Sequence, residues 1–230
     1  SKNGYAYSLD DPSTYKVTAY SFKNGTHVMF SHFGTMHSFS SNMMGIFNVY
    51  NLMAAVAAVH ITTNKPLDEI CEALEGFAGV SGRMETISSN PLIIVDFAHT
   101  PDGMKEVLQS FNEKDIICVF GAGGDRDKAK RPLMGSVAAS YSKHIIVTSD
   151  NPRFEDPDMI IEDILKGIKS HKSVEVEINR KEAIKKAIAM ADENSVVLIL
   201  GKGDESTQTI YDKKFPFSDK EEVLKVLNKE

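Results

Sequence analysis

Two patterns of hydrophobic and polar residues divide the chain near residue 80. Before this point, the segments KVTAYSF (16–22), THVMFSH (26–32) and MHSFS (36–40) alternate polar and apolar residues between short turns, which is typical of antiparallel strands. The almost uniformly apolar segment GIFNVYNLMAAVAAVHI (45–61) then predicts a nearly fully buried helix. PLDEICEALEGF (66–77) predicts a second helix with one apolar face. The first part is therefore predicted to be a meander followed by two helices.

Apolar strands and amphipathic helices alternate in the rest of the chain. The predicted strands are LIIVD (92–96), IICVF (116–120), HIIVT (144–148), VEVEI (174–178) and VVLIL (196–200). Helices are predicted near residues 101–112, 131–142, 157–169 and 181–193, with a last helix in SDKEEVLKVL (218–227) that Ser218 caps. This alternation predicts an α/β fold with a mostly parallel sheet and helices on both faces.

Composition narrows the possible functions. A chain of 230 residues that is 42% hydrophobic can bury a core. Its net charge of -6 argues against a protein that binds nucleic acid or a membrane surface, and we expect no stretch that reaches the roughly 18 apolar residues of a membrane span. Cys71 in a predicted helix and Cys118 in a predicted strand suggest reduced, buried thiols in a cytoplasmic protein. The first residues read as mid-protein sequence, so we expect a segment of something longer.

Four of the predicted strands end in polar, turn-rich loops. These loops are DFAHTPD (96–102), GAGGDRDKAKR (121–131), SDNPRFEDP (149–157) and GKGDEST (201–207). Parallel strands place their carboxyl ends at the same edge of a sheet, and open α/β sheets bind ligands at that edge. The sequence therefore predicts one ligand site built from the four loops.

The loop SDNPR (149–153) brings opposite charges to one turn. Pro152 disfavours helix at Asn151, so that the neighbouring side chains can point to a common ligand. The guanidinium of Arg153 would bind a carboxylate or phosphate in a bidentate manner, and Asp150 would bind an ammonium group. An amino acid carries both groups. A turn with a helix cap and a surface ion pair explains the same residues, and both interpretations stay open.

The other three loops also allow a functional and a structural interpretation. Backbone N–H groups in 121–131 could hold an anion, with Arg131 as a clamp, or the segment could be a solvated basic loop. Glu205 could accept a ligand's ammonium group or belong to a plain turn. Asp96 could accept hydroxyl groups such as those of a ribose, and His99 could act near a phosphate or cap a turn.

Together these motifs resemble those of the Mur ligases of peptidoglycan synthesis. The resemblance covers about residues 45–230. Its motifs are GRME (82–85), VDFAHTPDGM (95–104), VFGAGGDRDKAKRPLMG (119–135), TSDNPRFEDP (148–157) and GKGDE (201–205), and GIFNVYNLMAAVAA (45–58) is similar to the family's adenine-side helix. Phe97, Ala122 and Asp204 stand where the family usually has Tyr, Cys and His.

The resemblance implies an ATP- and Mg²⁺-dependent ligase. A substrate carboxylate would be phosphorylated to an acyl phosphate, from which an amine displaces the phosphate. The DNPR string implies that this amine is meso-2,6-diaminopimelate, added to UDP-N-acetylmuramoyl-L-alanyl-D-glutamate in the cytoplasm. Residues 1–80 would be the C-terminal part of the central ATPase domain, and residues 81–230 the Rossmann-like amino-acid-binding domain. A hinge would lie at residues 79–83, which include Gly79, Ser81 and Gly82.

The resemblance also assigns individual residues to the two small ligands. Those assigned to diaminopimelate are Arg131 at a carboxylate, Asp150, Asn151, Pro152 and Arg153 at the distal end, and Gly201 and Glu205 at the ammonium group. Those assigned to ATP are Asn48, Asn51, Arg83, Asp96 and His99, and His99 is also a possible catalytic residue. No residue of the chain is assigned to a metal.

Some alternatives stay open. The P-loop motif GxxxxGK[ST] does not occur, so we expect the chain by itself to be inactive and to expose strand edges within residues 1–45, which would allow self-association through them. A lysine-adding ligase or a sibling ligase, such as folylpolyglutamate synthetase, would have a similar domain organisation. A non-catalytic amino-acid-binding module is a second alternative. A dinucleotide-binding oxidoreductase is disfavoured because DFAHTPD has no glycine fingerprint.

Overall fold

The chain forms two compact units, residues 1–79 and 80–230. The computed structural model describes residues 4–22, 25–77, 79–169 and 173–228. The strands are β1 (Tyr7–Ser8), β2 (Tyr15–Ser21), β3 (Thr26–His32), β4 (Thr35–Ser41), β5 (Glu85–Ser89), β6 (Leu92–Asp96), β7 (Asp115–Phe120), β8 (His144–Val147), β9 (Val174–Val176), β10 (Ser195–Leu200), β11 (Thr207–Ile210) and β12 (Lys213–Pro216). The helices are α1 (Ile46–Thr63), α2 (Leu67–Glu75), α3 (Pro101–Gln109), α4 (Lys130–Tyr141), α5 (Pro157–Leu165), α6 (Arg180–Met190) and α7 (Asp219–Leu227).

The first unit contains the predicted meander. Strands β2, β3 and β4 pair antiparallel in sequence order, and the short β1 adds in parallel to β2. Alternation along β3 buries Val28 and Phe30 and leaves Met29 exposed, as the period of two requires. In the described part of this unit β4 pairs only with β3, so the predicted open strand edge is present. Self-association through it stays a prediction.

Helix α1 is less buried than its composition suggests. Its buried residues are Asn48, Val49, Leu52, Met53, Val56 and Ala57, whereas Tyr50 and Val59 are 38% and 40% exposed. The prediction of nearly full burial is therefore wrong within this unit, because apolar residues continue around the helix beyond its packed face. By length and composition α1 could also cross a membrane, contrary to our expectation, although core helices of soluble proteins pass the same test and the indication is weak.

The second unit is built on a six-stranded sheet in the order β5-β6-β10-β7-β8-β9. Only β5 is antiparallel to its neighbour. Strand β10 lies between β6 and β7 and is buried at all six positions. Helices α6 and α7 pack on one face over Ile117 and Val197, and α3, α4 and α5 pack against each other in succession. The predicted α/β fold is confirmed, and each predicted strand lies within two residues of an observed one.

Two features of the second unit were not predicted. Strand β5, with the polar sequence ETISS, forms one edge of the sheet. Strands β11 and β12 form an exposed antiparallel hairpin. Its first strand pairs with the DNPR loop, because Arg153 N–H donates to the Thr209 carbonyl at 3.1 Å and Tyr211 N–H donates to the Arg153 carbonyl at 2.7 Å. The hairpin therefore fixes the backbone of the predicted ligand site.

The two cysteines are buried free thiols, as predicted. Burial raises the pKa of Cys71 to about 11 and that of Cys118 to about 12. Neither thiol is thus ionised near neutral pH, which makes both poor nucleophiles.

Candidate functional site

The four polar loops leave the same edge of the sheet. Strands β6, β10, β7 and β8 are parallel neighbours in this order. Residues 96–102, 201–207, 121–131 and 149–157 therefore follow adjacent carboxyl ends, as the sequence predicted. The rim lies where open α/β sheets bind ligands.

A small cavity of about 160 Å³ opens between these loops. Its lining residues are Phe97, His99, Gly121, Ala122, Gly123, Arg126, Asp150, Asn151, Arg153, Gly201 and Glu205. We call this cavity the rim pocket. It brings together five of the seven residues that the resemblance assigned to diaminopimelate, although their role in binding stays a prediction. The sixth, Pro152, is buried and lines a neighbouring cavity instead.

Arg131 does not reach the rim pocket, and its expected role as an anion clamp there is wrong. The side chain is 1% exposed. Its Nη2 donates to Glu155 Oε1 at 2.8 Å, and its Nη1 donates to Glu155 Oε2 at 3.0 Å and to Asp163 Oδ2 at 3.1 Å. The carboxylates that Arg131 binds thus belong to the protein. Arg126, from the same loop, lines the pocket in its place.

The Arg131–Glu155 pair should make the stability of the second unit dependent on pH. The hydrogen bond from Arg131 is the main reason why the pKa of Glu155 falls from its ordinary 4.5 to about 2. A carboxylate with a lowered pKa contributes its full stabilisation above the unfolded pKa and loses it as the pH falls through the folded pKa. We therefore expect Glu155→Gln to lower the free energy of unfolding most near neutral pH, and the deficit to shrink between pH 4.5 and about 2. Urea unfolding of both proteins across this range measures the deficit, and a deficit that does not change with pH would contradict the pairing.

The buried carboxylate of Asp150 receives no hydrogen bond from the described residues. It is 6% exposed, and in the described structure its side chain accepts no hydrogen bond. The nearest cation is the Lys202 ammonium, 3.9 Å from Oδ1. Burial raises the pKa of Asp150, while Arg180 and Lys202 oppose that shift. A ligand that brings an ammonium group would supply the missing donor.

Gly201 leaves room for the Asp150 carboxylate. Its φ of +117° lies in a region that L side chains rarely adopt, and a Cβ there would sit 2.7 Å from Asp150 Oδ2. A side chain at position 201 would therefore displace the carboxylate as well as strain the backbone.

One carboxylate oxygen of Glu205 is hydrogen-bonded to described residues, and the other is not. Oε2 accepts hydrogen bonds from Asn151 Nδ2 at 2.8 Å and from Lys202 Nζ at 2.7 Å. Oε1 makes no hydrogen bond to any described residue, and the side chain is 38% exposed. Partial burial alone would raise the pKa of Glu205, but the hydrogen bonds from Lys202 and Asn151 outweigh it and lower that pKa. The group is thus an anion with a free acceptor at the pocket.

Arg153 is held by its backbone and by a single side-chain contact. Its φ of +50° is unusual for a residue other than glycine. Nη1 donates to the Gly124 carbonyl at 2.6 Å, and Nε and Nη2 make no hydrogen bond among the described residues. Arg153 also forms no ion pair in that part of the chain, so it does not brace the loop through Glu155 or Asp156. Nε and Nη2, which form one edge of the guanidinium, remain for a carboxylate.

The residues assigned to ATP lie in both units. In the first unit, buried Asn48 donates to the Met44 carbonyl and accepts from Asn51. In the second unit, Arg83 stacks 4.1 Å above the ring centroid of Phe97 and is exposed. Each carboxylate oxygen of Asp96 accepts a backbone N–H, from Met84 and from Ala98, both at 2.7 Å. Asp96 therefore stabilises the backbone around Met84 and Ala98, and its contact with a ribose stays a prediction.

His99 is exposed at the rim pocket beside Phe97. Its Nδ1 lies 3.0 Å from the Phe97 carbonyl oxygen, and the two rings meet edge to face. Arg83 and His99 thus flank the same aromatic ring and fit an anionic group such as a phosphate. Across the described residues no cluster of three or more His, Cys, Asp or Glu side chains could hold a metal ion.

The sequence reasoning missed three cations of this region. Arg126 was passed over in favour of Arg131, five residues further along the same basic loop. Lys202 is fully buried behind the pocket. The only sequence feature that places it near the site is its position between two glycines directly after an apolar strand. Arg180 is also buried, where it binds Asp219, and no local pattern identifies it.

Comparisons with known proteins point to one family. The family model "Mur ligase, glutamate ligase domain" matches residues 82–203. The UDP-N-acetylmuramoyl-L-alanyl-D-glutamate--2,6-diaminopimelate ligase of Wolinella succinogenes is 48% identical over 226 residues, which are 98% of this chain and 52% of the relative. The ligase of the same name from Helicobacter hepaticus is 46% identical over 228 residues, covering 96% of this chain and 49% of the relative.

A solved structure agrees with these sequence matches. The structure of a UDP-N-acetylmuramoyl-L-alanyl-D-glutamate--2,6-diaminopimelate ligase superposes with a TM-score of 0.71 at 33% identity, covering 98% of this chain and 47% of the other. The chain therefore spans about half the length of the curated relatives it matches.

Proposed function

Because this chain belongs to the Mur ligase family, we propose that it supplies the amino-acid-binding part of a diaminopimelate-adding ligase of this family, which is called MurE. The reaction joins meso-2,6-diaminopimelate to UDP-N-acetylmuramoyl-L-alanyl-D-glutamate in the cytoplasm, through an acyl phosphate, at the expense of ATP. Two relatives that carry this name, at 48% and 46% identity, support the proposal. The observation that carries it is the rim pocket, where two arginines and two carboxylates face the same small space.

The charges of the pocket match one end of diaminopimelate. The distal carbon of this amino acid bears both a carboxylate and an ammonium group. Arg153 and Arg126 are the cations available for the carboxylate, and a guanidinium binds it best through two parallel hydrogen bonds. Asp150 and the free Oε1 of Glu205 are the acceptors available for the ammonium group. Lysine lacks the distal carboxylate and would leave both arginines without a ligand carboxylate to bind.

The chain's own part in the reaction is to hold and orient the amine. With its distal end fixed in the pocket, the amino acid extends its other amino group out of the rim. Fixing the nucleophile in this way lowers the entropic part of the barrier. ATP, when bound, supplies the phosphoryl group that activates the carboxylate of the dipeptide. Arg83 and His99 are the residues that fit its phosphates, and we assign Mg²⁺ to no residue of this chain.

The domain assignment belongs to this proposal. Residues 1–80 would form the C-terminal part of the ATPase domain and residues 81–230 the amino-acid-binding domain. Gly79 and Gly82 have φ of +91° and +66°, which suits a joint that changes direction between them. By itself the chain should form no product, because it carries no P-loop sequence.

A titration calorimetry experiment tests the proposal. With ATP and the UDP-dipeptide present, the full-length protein should bind meso-diaminopimelate at least about ten-fold more tightly than L-lysine, since a charge-assisted pair is worth about 1.5–3 kcal/mol. Equal affinities would favour a lysine-adding or sibling ligase. Binding of neither amino acid would contradict the proposal. Binding without ligation product would favour the amino-acid-binding module.

A further inference from the structure

We infer that Lys202 is a positioning residue that, directly and through Asn151, aims Glu205 at the ammonium group of the amino acid. This inference rests on the proposed function and deepens it. The side chain of Lys202 is fully buried behind the rim pocket and does not line it. A lysine is rarely buried completely unless its charge is paired. The contacts of its ammonium group therefore indicate what it does.

The Lys202 ammonium group uses all three of its N–H donors within the pocket wall. It donates to Glu205 Oε2 at 2.7 Å, to the Thr207 carbonyl at 2.7 Å and to Asn151 Oδ1 at 3.3 Å. A buried ammonium group with three acceptors is fixed in place. It therefore cannot swing into the pocket to bind a ligand itself, and its effect must pass through its acceptors.

Lys202 helps to fix the direction of the Asn151 amide. Oδ1 of Asn151 accepts from the backbone N–H of Thr209 at 2.8 Å as well as from Lys202. Two donors on the oxygen leave only one orientation for the amide, with Nδ2 towards Glu205 at 2.8 Å. Glu205 Oε2 is thus held by two donors at once. Its other oxygen, Oε1, is the atom left for the ligand.

Lys202 also balances the charge of the pocket. Asp150 and Glu205 are two carboxylates on one small cavity, and without a cation behind them one would tend to take up a proton. The Lys202 ammonium group is 2.7 Å from Glu205 and 3.9 Å from Asp150. The other charges that act on the two carboxylates are Arg153 at Glu205, and Arg180 and Asp219 at Asp150. Lys202 is the only one of these cations that forms an ion pair with both carboxylates.

The test uses two substrates that differ only at the distal amine. One is meso-diaminopimelate, and the other is 2-aminopimelate, which keeps both carboxylates but lacks the distal ammonium group. In the full-length ligase, Lys202→Met removes the charge at nearly constant volume. We expect the KM for diaminopimelate to rise about ten-fold or more, as for loss of a charge-assisted hydrogen bond, and the KM for 2-aminopimelate to change little.

A mutant cycle separates positioning from a general structural role. In the Glu205→Gln background, Lys202→Met should have little further effect on the preference for diaminopimelate over 2-aminopimelate, because both changes act on one contact. The matched control is Lys214→Met, an exposed lysine on the neighbouring hairpin, which should leave both KM values unchanged. A preference in Lys202→Met equal to that of the wild type would overturn the inference. Equal losses for the two substrates give this same unchanged preference.

The pH dependence gives a readout that a structural role would not move. Without Lys202 the pKa of Glu205 should rise, so the KM for diaminopimelate should begin to increase at a higher pH as the solution is acidified. If Lys202→Met folds poorly, Lys202→Gln, which removes the charge, is measured by the same pH profile, and a KM increase that begins at the wild-type pH is contrary there. If the wild-type ligase uses neither substrate, the proposed function itself fails and this inference falls with it.

Discussion

Arg153→Ala is expected to remove most of the ligase activity with meso-diaminopimelate. The guanidinium has one free edge at the rim pocket, formed by Nε and Nη2, so it can form a bidentate pair with the distal carboxylate. Such a pair is worth about 1.5–3 kcal/mol, which corresponds to a loss of affinity of roughly 10- to 150-fold. Lysine has no distal carboxylate, so the variant should also discriminate less between the two amino acids. The ratio of kcat/KM for diaminopimelate and lysine in the full-length enzyme measures both effects.

Two further substitutions separate recognition from backbone strain. Arg153→Lys should restore little, because a point charge cannot form the two parallel bonds of a guanidinium. Arg153→Gly removes the side chain and also relieves the positive φ of +50°. If Arg153 recognises the ligand, the glycine and alanine variants should show the same reduced discrimination. If it only braces the loop, stability should fall and the preference for diaminopimelate should stay at the wild-type ratio.

The parts of the fold that could be predicted are those where burial imposes a regular hydrophobic pattern on an element. Residues 92–95, 116–120 and 196–200 are continuous apolar runs because these strands are covered on both faces. Strand β5 and the hairpin of β11 and β12 escaped prediction because edge strands and exposed strands do not need an apolar pattern. The position of the hairpin also depends on pairing with a distant residue, because Ile210 bridges to Arg153.

The candidate site was predictable in position but not in all its members. Polar loops after apolar strands locate the rim, since the fold requires parallel strands to end on one side. The sequence of the loop alone does not show whether Arg126 or Arg131 faces the rim pocket. Arg131 turns away because its carboxylate partners, Glu155 and Asp163, come 24 and 32 residues later in the chain. Lys202 has a still more distant partner in Asn151, 51 residues before it.

The second large effect is expected for Asp219→Ala, which should strongly destabilise the second unit. Arg180 and Asp219 are both fully buried, with Nε to Oδ1 and Nη2 to Oδ2 at 2.7 Å each. Nη2 also donates to the Leu200 carbonyl at 3.0 Å. The pair thus joins the first turns of α6 and α7 to the end of the central strand β10. Removing one partner of a buried pair costs about 3–5 kcal/mol, because the other charge stays buried without compensation.

Urea unfolding of the purified chain measures this loss, with Lys220→Ala as the control. Lys220 is the next residue of the same helix, and its ion pair with Glu85 is partly exposed, so its removal should cost far less. Replacing both partners, as in Arg180→Met with Asp219→Leu, should recover much of the stability, since an apolar pair leaves no buried charge. A small loss in Asp219→Ala would mean that Arg180 has found another anion. The candidate is Asp150, the pocket carboxylate on which Arg180 already acts, and diaminopimelate binding should then weaken in the same variant.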